Sequence, residues 1–319
     1  MAHGLISRDT IYAKIETTYG TDSVPVGGDA VLVRSVQHAL ANTRMVARPA
    51  ITGSLSNPQQ AYGGTLESVT IVAEMRGSGA AGAVPEIGPL LRACGLAEAV
   101  NVGTSVVYTP QAGAIESCTV YYFKSVDGGA TRVRHILTGC RGTFTIAANA
   151  GEVGLITFNL TGRRANPTDQ SPLVPTYDAT VPVGMRGLSV AVGGVAGLVV
   201  QGFTFDAGND VQPPDNVNDS EGYGNLTLVS RDPTLTLSRH DELVATIAPF
   251  ADLVAGTNRA FDSGVIGSTA GNRWRLQAGT LAYRNVQPGE ANGMRTIEST
   301  FGCTASTVGG DNNFTLTFT

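Results

Sequence analysis

The sequence predicts a mainly β chain, built as two related halves, each with a short flanking helix, joined by a Pro-rich linker. Three observations carry this. Apolar and polar residues alternate with period two in segment after segment. Gly (40 of 319 residues) and Thr (35) are in excess, while charged residues are only 15%, against a usual share of about 25%. Gly and Thr with few charges favour strands and turns over surface helices. Third, the order of segments in the first half recurs in the second.

The alternation is plainest in 154–161, GLITFNLT. Ile156, Phe158 and Leu160 take one face; Thr157, Asn159 and Thr161 take the other. Phe144 and Ile146 oppose Thr143 and Thr145. Phe203 and Phe205 oppose Thr204 and Asp206. Ile297 and Phe301 oppose Thr296, Glu298 and Thr300. Such segments are half-buried antiparallel strands, one face dry and one wet. Helical signal is limited to 87–96 (IGPLLRACGL) and 241–255 (DELVATIAPFADLVA). The second has Asp241 as an N-cap and Pro249 as a kink or split. Residues 185–205 approach a bilayer-spanning length but read as strands 188–192 and 198–206 around a glycine turn, so no membrane span is expected.

Residues 163–187 hold Pro167, Pro172, Pro175 and Pro182 and read as the linker. This gives an N-terminal arm over 1–29, a first β domain over 30–162, the linker, and a second β domain over 188–319. Segments 32–75 and 198–239 each run strand, polar loop, Tyr-Gly turn, strand. A short helix-like piece follows each, then an x-x-Gly-Glu turn (149–152 and 287–290) and a final alternating strand. This order is the mark of an internal duplication.

The formal net charge of −5 argues against a protein that grips nucleic acid through its phosphates. It leaves open a protein that DNA merely passes. Only Lys14 and Lys124 are lysines; the other basic residues are Arg, which suits ordered contacts. MAHGLISRDTIYAK has no apolar h-region, so no signal peptide is expected. Cys94, Cys118, Cys140 and Cys303 form no CxxC pair and read as free buried thiols.

No catalytic or metal motif emerges. GSGAAG at 77–82 matches G-x-G-x-x-G, but Pro85 and Pro89 interrupt the helix that a dinucleotide site requires, and the segment reads as a flexible loop. His3, His38, His135 and His240 lie far apart in sequence without ligand spacing, so neither metal nor cofactor is expected. Residues 239–242 (RHDE) read as a solvated strand end. No nucleophile elbow or Walker loop is present. This shifts weight from an enzyme to a structural protein. The wet strand faces are the most informative feature: short, polar, Lys-free and neutral or acidic. The candidates for a pore wall are Thr70, Glu74, Thr157, Asn159, Thr204, Asp206, Thr236, Ser238, Thr296 and Glu298. A tight subunit contact suits the same faces, and a plain solvent-facing sheet is the alternative.

The segments IYAKIETTYGTDSVPVGGDAVLV (11–33), AEMRGSGAAGAVPEIGPLLRACGLAEAV (73–100), SVVYTP (105–110), ESCTVYYF (116–123) and LTGCRGTFTIAANAGEVGLITFNLTG (137–162) resemble the tail tube proteins of long-tailed, siphovirus-type bacteriophages. The resemblance is strong over 1–165 and weaker beyond. It implies tail-tube-type β-sandwich or β-barrel domains whose subunits form rings. Rings stack into a hollow tube through which the tape-measure protein and the DNA pass. Most such tubes have six copies of one domain per ring, so a duplicated chain would close as a trimer with pseudo-sixfold symmetry. The resemblance further implies tail terminator and distal tail proteins as partners, assembly in the host cytoplasm, and a place in the virion tail. Loops 41–63 and 207–222 and the arm would reach neighbouring subunits or rings. The rival readings are a head–tail joining or capsid accessory ring, a β-sandwich adhesion or carbohydrate-binding module, and a hydrolase on a β scaffold.

Overall fold

The computed structural model describes residues 3–319. It is mainly β, with 48% of residues in strands and 6% in helices, so sheet pairing rather than helix packing sets the architecture. The first half contributes β1 (Thr10–Ile15), β2 (Ala30–Val31), β3 (Val33–Val46), β4 (Ala61–Glu74), helix α1 (Gly88–Ala93), β5 (Leu96–Asn101), β6 (Ser105–Pro110), β7 (Cys118–Lys124), β8 (Arg132–Asn149) and β9 (Leu155–Arg164). Between the halves lie β10 (Thr168–Gln170) and β11 (Ala191–Val192). The second half contributes β12 (Val200–Asp206), β13 (Asn209–Gln212), β14 (Thr227–Arg231), β15 (Thr234–His240), helix α2 (Pro249–Ala255), β16 (Arg259–Asp262), β17 (Trp274–Ala291), β18 (Met294–Cys303) and β19 (Thr315–Phe318).

Antiparallel pairing runs β3–β4–β9–β8 in the first half. It runs β12–β15–β18–β17 in the second. The pairing of β8 with β12 joins the two sets edge to edge. The result is one eight-stranded run across both halves. Among the described residues β3 has only β4 as a strand partner, and β17 beyond Leu281 has only β18. Both ends of the run are open edges, which expose unpaired backbone groups. A second cross-half pairing, β6 with β19, ties the halves together behind the run.

Period-two alternation sets which face is dry. Ile71, Phe158 and Phe144 form one cross-strand row, and Leu235, Phe301 and Tyr283 another. All but Tyr283 are fully or almost fully buried. The main apolar cluster includes residues of both halves, and two smaller ones form around Tyr12 and Phe123 and around Leu66 and Tyr223. Phe314, beside β19, packs on Phe144 and Phe205, with ring centroids 6.2 and 4.7 Å away. Burial of each such ring stabilises the fold by about 1.5–3 kcal/mol.

Both helices are short. Leu90, Leu91 and Ala93 of α1 are buried, and Gly95 follows in the left-handed region at φ +77°. In the second helix Pro249 does not kink a longer segment. It stands at the first turn and starts the helix, because a first-turn residue needs no N–H partner within it. Residues 241–248 are therefore not helical. The 77–82 glycine segment forms turns and opens no helix.

Residues 163–187 run over the surface of the first half. β10 pairs with β8, the Tyr12 hydroxyl donates to the Leu173 carbonyl at 2.7 Å, and the Thr176 N–H donates to the Gly27 carbonyl at 2.9 Å. The N-terminal segment is also integrated. β1 pairs with β2 and β7, and Ile11, Tyr12 and Ala13 are buried. Residues 3–9 and 16–29 lie outside the strands, and residues 1–2 of the expected arm lie outside the described residues.

Candidate functional site

The polar face of the eight-stranded run is the most extensive candidate surface. Register places all ten candidate positions on it. Gln37, Thr70, Asn159 and Thr143 form one row across four strands. Val72, Thr157, Thr145, Asp206 and Thr234 form the next, crossing the β8–β12 junction. Glu74, Leu155, Ala147, Thr204, Thr236 and Thr300 form a third. Asn149, Gly202, Ser238, Glu298 and Gln287 follow. His240 and Thr296 complete the set. Asn159, Thr204 and Glu298 are exposed; the other seven candidates are half-buried.

Short side chains on this face bond across strands. The Thr70 hydroxyl donates to Asn159 Oδ1 at 2.8 Å, and the Ser238 hydroxyl reaches Glu298 Oε2 at 3.4 Å. Asp206 accepts the Gly208 N–H at 2.9 Å, closing the turn after β12. The face is less acidic than the sequence suggests. Arg34 Nε donates to Glu74 at 2.9 Å and neutralises it. Adjacent strands brought these residues together over a separation of 40 positions.

Loop 207–222 packs in part on the turn-side ends of β3 and β4, while Val217 within it stays exposed. Arg44 pairs with Asp215 and stacks over the Tyr223 ring, 4.0 Å from its centroid. Tyr62 donates to Glu221, which also accepts the Thr65 N–H at 3.1 Å. Arg163 meets Asp219 at 2.6 Å. Two acids of this loop, Asp215 and Asp219, thus pair with arginines of the first half. Residues 47–60 do project: Ile51 and Leu55 at their centre are wholly exposed.

Two buried polar groups escaped the sequence reading. Arg239 is not at a solvated strand end; it is 2% exposed and donates to the His240 carbonyl at 2.9 Å. Its position among Leu235 and Leu237 on the dry face was legible from period two. His38 and His135, far apart in sequence, converge with ring centroids 4.2 Å apart. Between them lies the carboxylate of Glu67, itself 1% exposed. Burial works to raise the Glu67 carboxyl, but the imidazoles of His135 and His38 outweigh it and hold it at about 2, below the ordinary 4.5. Glu67 shares its parity with Val69, Ile71 and Ala73, so the strand pattern itself marked a buried carboxylate.

These features define a class first: a β scaffold that carries a broad, short-chained polar face, two open edges and a projecting loop. A comparison with family models then places it. The model described as phage tail tube protein matches residues 7–305, nearly the whole chain, and the chain belongs to that family. It is a structural component of the virion tail that assembles with copies of itself into a tube. No match to a curated protein was found.

Proposed function

We propose that three copies of this chain close into a ring whose inner wall is the polar face, and that rings stack into the tube that conducts the genome. One observation carries the reading. The first four strands (β3–β4–β9–β8) and the second four (β12–β15–β18–β17) follow the same order, and β8 meets β12 within the chain. The open edge of β17 is then the counterpart of β8, and the open edge of β3 the counterpart of β12. Pairing β17 of one copy with β3 of the next repeats between chains the junction already made within each. Closure removes both open edges. Six four-stranded units from three chains give pseudo-sixfold symmetry, and the boundaries 30–162 and 188–319 mark the two repeats.

The wall suits conduction. DNA carries one negative charge per about 1.7 Å of helix axis, and a basic lumen would hold it. Thr70, Thr157, Asn159, Thr204, Thr236, Ser238 and Thr296 offer short neutral groups, Asp206 and Glu298 add negative charge, and Glu74 is neutralised by Arg34. The same lumen accommodates the tape-measure protein. Head-to-tail contacts stack rings into an open filament, and the projecting residues 47–60 supply such a contact. Tail terminator and distal tail proteins then close its ends, in the host cytoplasm before lysis.

Negative-stain electron microscopy of the purified full-length protein tests this. Hollow filaments whose end views show threefold modulation of a six-lobed ring are expected. Rings of six chains, or single rings that never stack, would overturn the trimeric tube.

A further inference from the structure

The His38–Glu67–His135 cluster lies on the face opposite the polar wall. His38 comes from β3, Glu67 from β4 and His135 from β8, and their ligand atoms all lie within 4.8 Å of one another. His38 Nε2 is 3.2 Å from Glu67 Oε2, and His135 Nδ1 is 3.8 Å from Glu67 Oε1. The side chains are 15%, 2% and 13% exposed, so the group is sheltered yet reachable. His38 Nε2, His135 Nδ1 and Glu67 Oε2 are each buried with no hydrogen-bond partner. Buried polar atoms are almost always satisfied, and three orphans facing one point ask for a common partner.

We propose that these three residues bind a divalent transition-metal ion, with zinc the ion that their chemistry fits. Two imidazoles and a carboxylate are a zinc-type donor set; calcium and magnesium prefer all-oxygen sets. Donor atoms at about 2.1 Å from a tetrahedral ion stand roughly 3.4 Å apart. The imidazoles approach the two oxygens of Glu67 at 3.2 and 3.8 Å, and all three donors lie within 4.8 Å of one another, so side-chain rotations alone bring them to that spacing. The Tyr122 ring stacks on His135, and its hydroxyl donates to Asp9 at 2.6 Å, which fixes the imidazole plane. Arg164 Nε lies 3.7 Å from Glu67 Oε1, beyond hydrogen-bond reach, and adds a positive charge outside the donor set. Three protein donors leave a fourth position for water. The ion ties β3, an open-edge strand, to β4 and β8, so its binding free energy stabilises that edge. The site lies within one chain and stands whether or not the ring closes as proposed.

The test is cobalt titration of the full-length, chelator-treated protein, followed by visible absorption, with zinc as competitor. One cobalt per chain is expected, with the intense visible bands of a four- or five-coordinate site, displaced by one equivalent of zinc. Melting temperature rises with zinc. The variants H38Q and H135Q each weaken cobalt affinity at least about tenfold, while R164Q retains the bands. The wild-type spectrum and stoichiometry are informative even where a variant fails to fold. Absence of visible bands and of any zinc-dependent rise in melting temperature would overturn the site. So would binding that persists unchanged in the folded double variant H38Q/H135Q. Either result would leave the cluster as an ion pair network around Glu67 and Arg164.

Discussion

The backbone N–H of Gly139 donates to the buried carboxylate of Glu16 at 2.7 Å, across 123 residues of sequence. The same carboxylate accepts from Ser117 Oγ at 2.6 Å, Thr119 Oγ1 at 2.9 Å and the Gly20 N–H at 2.8 Å. One acid thus fastens the end of β1 to β7 and to the irregularity in β8. Gly139 is left-handed at φ +62°, and an added Cβ would stand 2.8 Å from the Tyr19 ring. Replacing Glu16 by Ala strands three buried donors and the half-buried Gly20 N–H. We expect Glu16→Ala to destabilise the subunit by roughly 3 kcal/mol or more, read from the urea midpoint. A loss below about 1 kcal/mol would contradict this account.

The proposed pairing of β17 with β3 of the next copy predicts one contact between chains. The row Ile71–Phe158–Phe144 corresponds to Leu235–Phe301–Tyr283, so the Ala147–Thr204 pair at the internal junction corresponds to Gln287 of one chain facing Ser35 of the next. In the double variant S35C/Q287C, oxidised tubes should yield a covalent ladder on non-reducing gels that ends at the trimer. A ladder ending at six would replace three chains with six. Absence of crosslinking in intact tubes would reject the β17–β3 seam.

Ile51 and Leu55 touch solvent in the isolated subunit. Their replacement by Asp should leave the melting temperature of the subunit within a degree or so, since exposed positions contribute little to folding. Filament formation, followed by sedimentation and microscopy, should fail. Intact tubes from the variant I51D/L55D would remove residues 47–60 from ring stacking.

Asp262 accepts Arg275 Nε at 2.8 Å and the Gly264 N–H at 2.9 Å. The Arg275 guanidinium holds its carboxyl below the ordinary 3.8. A depressed carboxyl contributes stability that is full above the unfolded value and lost as pH falls through the folded one. Asp262→Asn should therefore lower stability at neutral pH and flatten the loss below about pH 4. Urea midpoints measured between pH 7 and pH 3 check this, and parallel curves for the two proteins would contradict it.

All four cysteines are free and buried. Burial pushes the thiols of Cys94 and Cys140 up, and that of Cys303 to about 12. Thiolates, not thiols, react. The native protein should resist alkylation at all four positions at pH 8, and take up four labels in denaturant, as counted by mass spectrometry. Rapid labelling of the native chain would place a thiol at the surface.

Strand periodicity made the sheet legible, because a side chain two residues on must return to the same face. Thr157 and Asn159 against Ile156 and Phe158 fall where the alternation put them. The same rule puts Glu67 and Arg239 on dry faces, which the reading of 239–242 as a solvated strand end overlooked, and a charge there has no visible partner in sequence. Pro249 misled because proline breaks a helix interior yet suits its first turn. The partners of loop 207–222 were not legible, because Asp215, Asp219 and Glu221 meet Arg44, Arg163 and Tyr62 from distant parts of the sequence.

The sequence by itself determined the β class, the two-faced strands and the recurring order of segments, since these follow from local alternation and turn chemistry. Only the tertiary structure decided which strands adjoin. That choice set the β8–β12 junction, left β3 and β17 as open edges, and brought His38, Glu67 and His135 to one point. Pairing partners are selected by packing over the whole chain, and no local pattern encodes that selection.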